Sequence, residues 1–97
     1  MAKSEVRREM TISNDEFLRQ APAALEGMPF TVNERHIVAE HGSKRLDITF
    51  SKEGERELGS LDLPVTWIDM KFTGYSDQEI DDFFVQWDQH FQRIGGA

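Results

Sequence analysis

The spacing of apolar residues changes twice along this chain. Over residues 13–27 apolar side chains recur three or four positions apart, which predicts a helix. Over residues 30–74 they alternate with polar ones, as in strands that bury one face. After residue 75 the helical spacing returns. The pattern predicts an α+β chain in the order α-β-β-β-β-α, with an optional short strand at residues 30–32.

The first predicted helix begins at Ser13, because Ser13 and Glu16 have the spacing of a capping box, in which each side chain satisfies the other residue's backbone N–H. Gly27 is placed to end it. Pro22 lies inside the segment and lacks a backbone N–H, so we expect a kink or a break into two short turns.

The second predicted helix has the stronger pattern. Ser76 and Glu79 form another capping box, and Gly95 follows the last apolar position. At about 100° per residue, six large apolar side chains share one arc of the helix surface. They are Ile80, Phe83, Phe84, Trp87, Phe91 and Ile94.

The segment RHIVAEHGSKRLDITF predicts a β-hairpin with Gly42 and Ser43 as its two-residue turn. This register pairs His41 with Lys44 and continues to Arg35 opposite Phe50. It brings the apolar residues to one face of the hairpin, which supports the register. They are Ile37, Ala39, Leu46, Ile48 and Phe50.

A second turn is predicted around Gly54, with a three-residue loop that pairs Phe50 with Leu58. A third strand then covers residues 56–61. Pro64 cannot donate to a ladder, so it marks a strand start or an edge. The last strand covers residues 65–74. Its residues Ile68, Met70 and Phe72 face one way, and Val65, Trp67, Asp69 and Lys71 face the other.

Consecutive antiparallel strands between two helices favour a two-layer sandwich with both helices on one face of the sheet. We expect one α+β domain over residues 13–97. Residues 1–12 are mostly charged or small, and we expect a disordered tail there. Met10, followed by TISNDEF, is an alternative start of the protein.

Composition narrows the class of partner and the compartment. The net charge is −7, which disfavours nucleic acid and anionic membranes because both are bound by Lys and Arg. The sequence contains no cysteine and no apolar stretch long enough to span a membrane. We expect a soluble, cytoplasmic protein of bacterial type.

The histidines do not predict a metal site. His36 and His41 are five residues apart on one strand, so their side chains point to opposite faces. His36 lies near Asp47 on the polar face of the hairpin. No nucleophile elbow, phosphate loop or zinc motif occurs. We therefore expect no cofactor and no metal, and we favour a non-catalytic protein.

One edge of the last helix carries Asp77, Asp81 and Asp88. A functional interpretation is an acidic stripe that binds a basic partner or a divalent ion. The structural interpretation is that Asp77 and Asp81 complement the positive end of the helix dipole and that all three keep the chain soluble. We favour the structural interpretation.

A two-layer domain leaves one face of its sheet open. The pattern places Val38, Val65 and Trp67 on that face, together with His36 and Asp47. A tryptophan on an open face favours a cover, which is a second copy as a homodimer, another protein or the N-terminal tail. The alternative is that Trp67 lies at a bulge and turns into the core.

A rival hypothesis is a small-molecule-binding protein or an enzyme, with a cleft between the last helix and the sheet. Its lining would be Tyr75, Phe83, Trp87 and His90, because ligand sites are mostly apolar with a few polar groups. The same aromatic set is explained more simply as core.

Overall fold

A computed structural model describes residues 4–52, 54–58 and 61–94 of this chain. Two helices and six strands are present in these ranges. In chain order they are β1 (Glu5–Met10), α1 (Asn14–Ala24), β2 (Phe30–Asn33), β3 (His36–His41), β4 (Lys44–Phe50), β5 (Gly54–Leu58), β6 (Leu61–Thr73) and α2 (Asp77–Ile94).

The strands form an antiparallel sheet in the order β1-β6-β4-β3-β2, and β5 pairs with the first part of β6. Both helices pack on one face of this sheet. The predicted α+β, two-layer architecture is therefore confirmed. The optional short strand near residue 30 is present as β2, at the edge of the sheet.

The predicted β3–β4 hairpin register is confirmed. His41 pairs with Lys44 and Ala39 with Leu46, and the backbone N–H of Phe50 donates to the carbonyl oxygen of Arg35. Gly42 has a φ of 61°, which its lack of a Cβ permits at no steric cost. The register places the apolar face of both strands against the helices.

The predicted turn around Gly54 is wrong, because the chain continues along β6 there. Phe50 pairs with Ile68 and Gly54 pairs with Val65, so four residue steps on one strand oppose three on the other. One extra residue of this kind is a β-bulge. Leu58 pairs with Leu61 rather than with Phe50, and the two residues between them lie outside the described ranges.

The predicted disordered tail is wrong for residues 5–10, which form the edge strand β1. Glu5 pairs with Lys71 and Met10 with Thr66. The alternation is hard to recognise because Arg8 occupies a position that faces the helices, between Val6 and Met10. Arg8 pairs there with Asp88 of α2, which offsets the loss of an apolar side chain.

Helix α1 runs unbroken through Pro22 to Ala24, so the predicted break is wrong. Pro22 is exposed in the last turn, where it removes only one intrahelical hydrogen bond. Ser13 caps the helix by accepting from the backbone N–H of Glu16 at 3.1 Å. The Glu16 carboxylate accepts from Arg19 and Gln20.

The capping box of α2 is confirmed in both directions. The backbone N–H of Ser76 donates to Glu79 Oε1 at 2.9 Å, and that of Glu79 donates to Ser76 Oγ at 3.2 Å. Gly95, predicted to end the helix, lies outside the described residues. The helix therefore begins where the sequence predicts.

The core lies between the sheet and the two helices. Phe17 of α1 is fully buried and contacts the rings of Phe50, Trp87 and Phe91, with centroids 5.2–6.1 Å apart. The buried strand residues facing this aromatic group are Ile37, Ala39, Leu46, Ile48, Ile68, Met70 and Phe72. This one-sided packing leaves the other face of the sheet without a helix in the described part of the chain.

Candidate interaction surface

The open face is the sheet surface opposite the helices. Side chains alternate along each strand, so this face is formed by the residues between the buried ones. Its members are Glu5, Arg7 and Glu9 of β1, Thr31 and Asn33 of β2, His36, Val38 and Glu40 of β3, Arg45, Asp47 and Thr49 of β4, and Trp67, Asp69, Lys71 and Thr73 of β6.

Trp67 lies on the open face and is 39% exposed, which rules out the alternative that it turns into the core. Its backbone is fixed by Ser51, whose N–H donates to the Trp67 carbonyl oxygen at 2.9 Å and whose Oγ accepts from the Trp67 N–H at 3.0 Å. The Arg7 guanidinium lies 4.8 Å from the ring centroid, within cation–π range. Arg7 Nε is also 3.8 Å from Asp69 Oδ1.

A second group of charges surrounds Asp47. Arg45 donates from Nε to Asp47 Oδ2 at 3.1 Å and from a terminal nitrogen to Oδ1 at 3.2 Å. His36 Nε2 lies 3.0 Å from Asp47 Oδ1. These bonds, those from Arg45 first, hold the pKa of the Asp47 carboxyl below its usual value.

Opposite charges alternate across the strands of the open face. The register places Lys71 between Glu5 and Asp47, and it places Glu40 beside Arg45. The middle of the face forms an open depression of about 810 Å³, lined among others by Arg7, His36, Arg45, Asp47, Asp69 and Lys71. Trp67 is thus a single large ring at one end of a charged surface.

The five residues predicted for the interface differ in accessibility. The His36 side chain is 45% exposed and that of Asp47 is 21% exposed, while Val38 is half-buried. Val65 is only 7% exposed, so its predicted role as an interface residue is wrong. It pairs with Gly54 beside the bulge, where a sheet bends and twists more strongly.

The predicted acidic edge does not form a uniform stripe. Asp88 is engaged by Arg8 of β1, and Asp77 lies in the first turn of α2. Asp81 is exposed. The internal pair at Asp88 and the position of Asp77 agree with the structural interpretation of these carboxylates.

The residues of the rival cleft pack on aromatic rings of the domain. Trp87 is 1% exposed, with its ring centroid 5.4 Å from that of Phe83. Tyr75 packs edge-on against Phe72 at 5.2 Å, and burial raises the pKa of its hydroxyl. His90 is half-buried, and its Nε2 has no hydrogen-bond partner among the described residues. These contacts place the aromatic members of the set in the core.

Sequence reasoning missed Arg7, which covers Trp67 and pairs with Asp69. A signal was present in the segment EVRREM. Glu5, Arg7 and Glu9 alternate with residues that face the helices, and this is the period of a strand with one solvated face. Four charges among six residues obscured it.

No family model, curated protein or solved structure matches this chain. Neither helix in the described ranges has the length and apolar character needed to cross a lipid bilayer. The function has to be inferred from the geometry of the open face.

Proposed function

We propose that this protein is a non-catalytic interaction module that binds another protein through the open face, with Trp67 as the main apolar contact. One observation carries the proposal. Trp67 is 39% exposed on a sheet face that no helix of the described chain covers, although burying such a ring is favourable.

The surroundings of Trp67 support a protein partner. Interface hot spots are enriched in tryptophan and arginine, and polar groups around them exclude water when the partner binds. Arg7 and Asp69 are placed for this role beside the ring. Because opposite charges alternate across the face, we expect them to select the orientation of the partner more than to add affinity.

The test places a photo-cross-linking phenylalanine derivative at position 67 in cells that produce the protein. Position 85 is the matched control, because Val85 is 59% exposed on α2. We expect a discrete adduct from position 67 that position 85 does not form. The variant Thr49→Arg, which lies opposite Asp69 and diagonal to Trp67 on the open face, should abolish it, whereas Val85→Arg should not.

The same adducts from both positions, or no adduct from position 67, would contradict the proposal. A second copy of the chain on the open face is the alternative partner. It predicts an adduct of twice the monomer mass and a Trp67 fluorescence that becomes shielded from acrylamide as protein concentration rises. Binding of nucleic acid or membranes is not part of the proposal, because the net charge is −7.

A cytoplasmic location is also proposed, on the basis of the sequence. Cell fractionation with an antibody against the chain tests it, and recovery in the membrane or exported fraction would contradict it.

A further inference from the structure

The two edges of the sheet differ in how they are protected. Edge strands expose unpaired backbone groups, and natural proteins discourage association there with charged residues and bulges. The β1 edge carries charges at Glu5, Arg7, Arg8 and Glu9. The β2 edge, Phe30–Asn33, carries none, and all four of its residues are exposed.

The hydrogen-bond pattern shows which groups of β2 face outward. The Glu40 N–H donates to the Pro29 carbonyl oxygen at 3.1 Å, and Phe30 then pairs with Ala39 and Thr31 with Val38. In an antiparallel ladder hydrogen-bonded pairs alternate with non-bonded pairs. Thr31 and Asn33 therefore direct their backbone groups to β3, and Phe30 and Val32 direct theirs to the free edge.

The same two residues carry exposed apolar side chains. Phe30 is 36% exposed and Val32 is 46% exposed, although their cross-strand partners Ala39 and Ile37 are fully buried. Their side chains therefore point to the helix side, beyond the area that α1 and α2 cover. Outward backbone groups and uncovered apolar side chains thus coincide at Phe30 and Val32.

We propose that β2 pairs antiparallel with β2 of a second copy, which makes one continuous sheet across a two-fold axis. The axis passes beside Thr31, so that Phe30 forms a hydrogen-bonded pair with the partner's Val32 and Val32 with the partner's Phe30. Aromatic and β-branched side chains directly opposite each other are a favourable cross-strand pair. Thr31 lies opposite Thr31 of the second copy, with both side chains on the open face.

The charges that flank β2 are of both signs. Exposed Glu26 precedes the strand and exposed Glu34 and Arg35 follow it, so an antiparallel arrangement places Arg35 of each copy on the same side as Glu26 of the other. No charge within β2 opposes a like charge, which matters for a chain of net charge −7. The missing N–H of Pro29 does not interfere, because the backbone groups of Pro29 face β3.

This inference is independent of the proposed function, since β2 lies at the sheet edge and Trp67 lies on the open face. Four-residue strands bury little area, so we expect a weak dimer with a Kd of roughly 10–100 μM. Light scattering from about 5 μM to about 1 mM should show the mass rising from monomer to dimer.

The variant Val32→Lys should stay monomeric over the same range, with an unchanged circular dichroism spectrum. Val85→Lys makes the same chemical change at an exposed site on α2, and Trp67→Arg alters the open face. Both should dimerise as the wild type does. A wild type that stays monomeric, or a dimer that Trp67→Arg dissociates and Val32→Lys does not, would overturn the proposal.

Amide hydrogen exchange of the wild type tests the geometry without any variant. The amides of Phe30 and Val32 should become about fivefold more protected at a total protein concentration about tenfold above the Kd, because only about one fifth of the chains then remain monomeric. The amides of Thr31 and Asn33 should be protected at all concentrations, since they bond to β3. Equal exchange of Phe30 and Val32 at low and high concentration would also overturn the proposal.

Discussion

Arg8 of β1 pairs with Asp88 of α2, although 80 residues separate them along the chain. The same guanidinium carbon lies 4.3 Å from the ring centroid of Phe84. A charged residue on the helix side of a strand thus joins the first strand to the last helix. Asp88 is one of the three carboxylates of α2 that were considered as an acidic stripe for a basic partner or a divalent ion.

We expect Arg8→Ala to lower the free energy of unfolding by about 1 kcal/mol, the sum of a part-exposed ion pair and a cation–π contact. Asp88→Asn should cost less, because Arg8 keeps its contact with Phe84. Urea unfolding measures both. Equal losses in the two variants would mean that the Phe84 contact contributes nothing.

Gly74 joins β6 to α2 with a φ of 79°, and a Cβ at this position would overlap the backbone carbonyl of Ser43. Gly74→Ala should therefore destabilise by about 2–4 kcal/mol, through both the left-handed backbone and the clash. Gly27→Ala is the control, because Gly27 has a φ of 80° and nothing within 4 Å of a Cβ. It should cost only about 1–2 kcal/mol. A thermal melt that gives the same loss for both would show that the Ser43 contact relaxes.

Asp47 should make the free energy of unfolding depend on pH in the acidic range. Arg45, and then His36, lower its pKa in the folded chain, so its stabilising effect is complete above the unfolded value near 3.9. It is lost as the pH falls through the lower, folded pKa. Asp47→Asn should flatten the pH dependence of unfolding below about pH 4.

The two tryptophans should differ sharply in their effect on stability. Trp87 is 1% exposed among Phe17, Phe83 and Phe91, so Trp87→Ala should cost about 3–5 kcal/mol. Trp67→Ala should cost about 1 kcal/mol or less, since its ring is partly in water. Guanidinium unfolding compares them, and a Trp67 loss as large as that of Trp87 would mean that the open face is packed in solution.

Thr66 is fully buried, and its hydroxyl donates to the Ile12 carbonyl oxygen at 2.8 Å and accepts from Asn14 Nδ2 at 3.0 Å. Thr66→Val keeps the shape but removes these bonds, so it should cost about 1–3 kcal/mol. Thr66→Ser keeps the hydroxyl and loses one buried methyl, which should lower the free energy of unfolding by about 1 kcal/mol. If Thr66→Val proves the more stable of the two in urea unfolding, the hydroxyl bonds do not stabilise the fold.

The sequence is sufficient to predict the β3–β4 hairpin and α2, because each has a local signal that agrees with its burial. Gly42 at the turn forces one register, and that register brings Ile37 opposite Ile48. The apolar arc of α2 can be recognised from the helical period alone. The outward position of Trp67 follows from alternation with Ile68 and Met70.

Two elements depend on contacts that a single segment does not reveal. Strand β1 has Arg8 at an inward position, and only the distant Asp88 makes that position favourable. The residues that follow Phe50 have the composition of a turn, yet β5 pairs with β6 next to β4, with Phe50 opposite Ile68 and Gly54 opposite Val65. The wrong prediction of a turn around Gly54 also led to the wrong prediction that Val65 is accessible. Its accessibility depends on where the sheet bends.

The pairing of β1 with β6 has a consequence for biosynthesis. The ribosome makes Glu5–Met10 before every other element described here, but the edge that this strand joins is formed by Leu61–Thr73. The strand can pair with β6 only after most of the chain has been translated. Arg8 can pair with Asp88 only after α2 has been made as well. Domain assembly is therefore expected to finish at the N-terminal strand, after the central hairpin has formed.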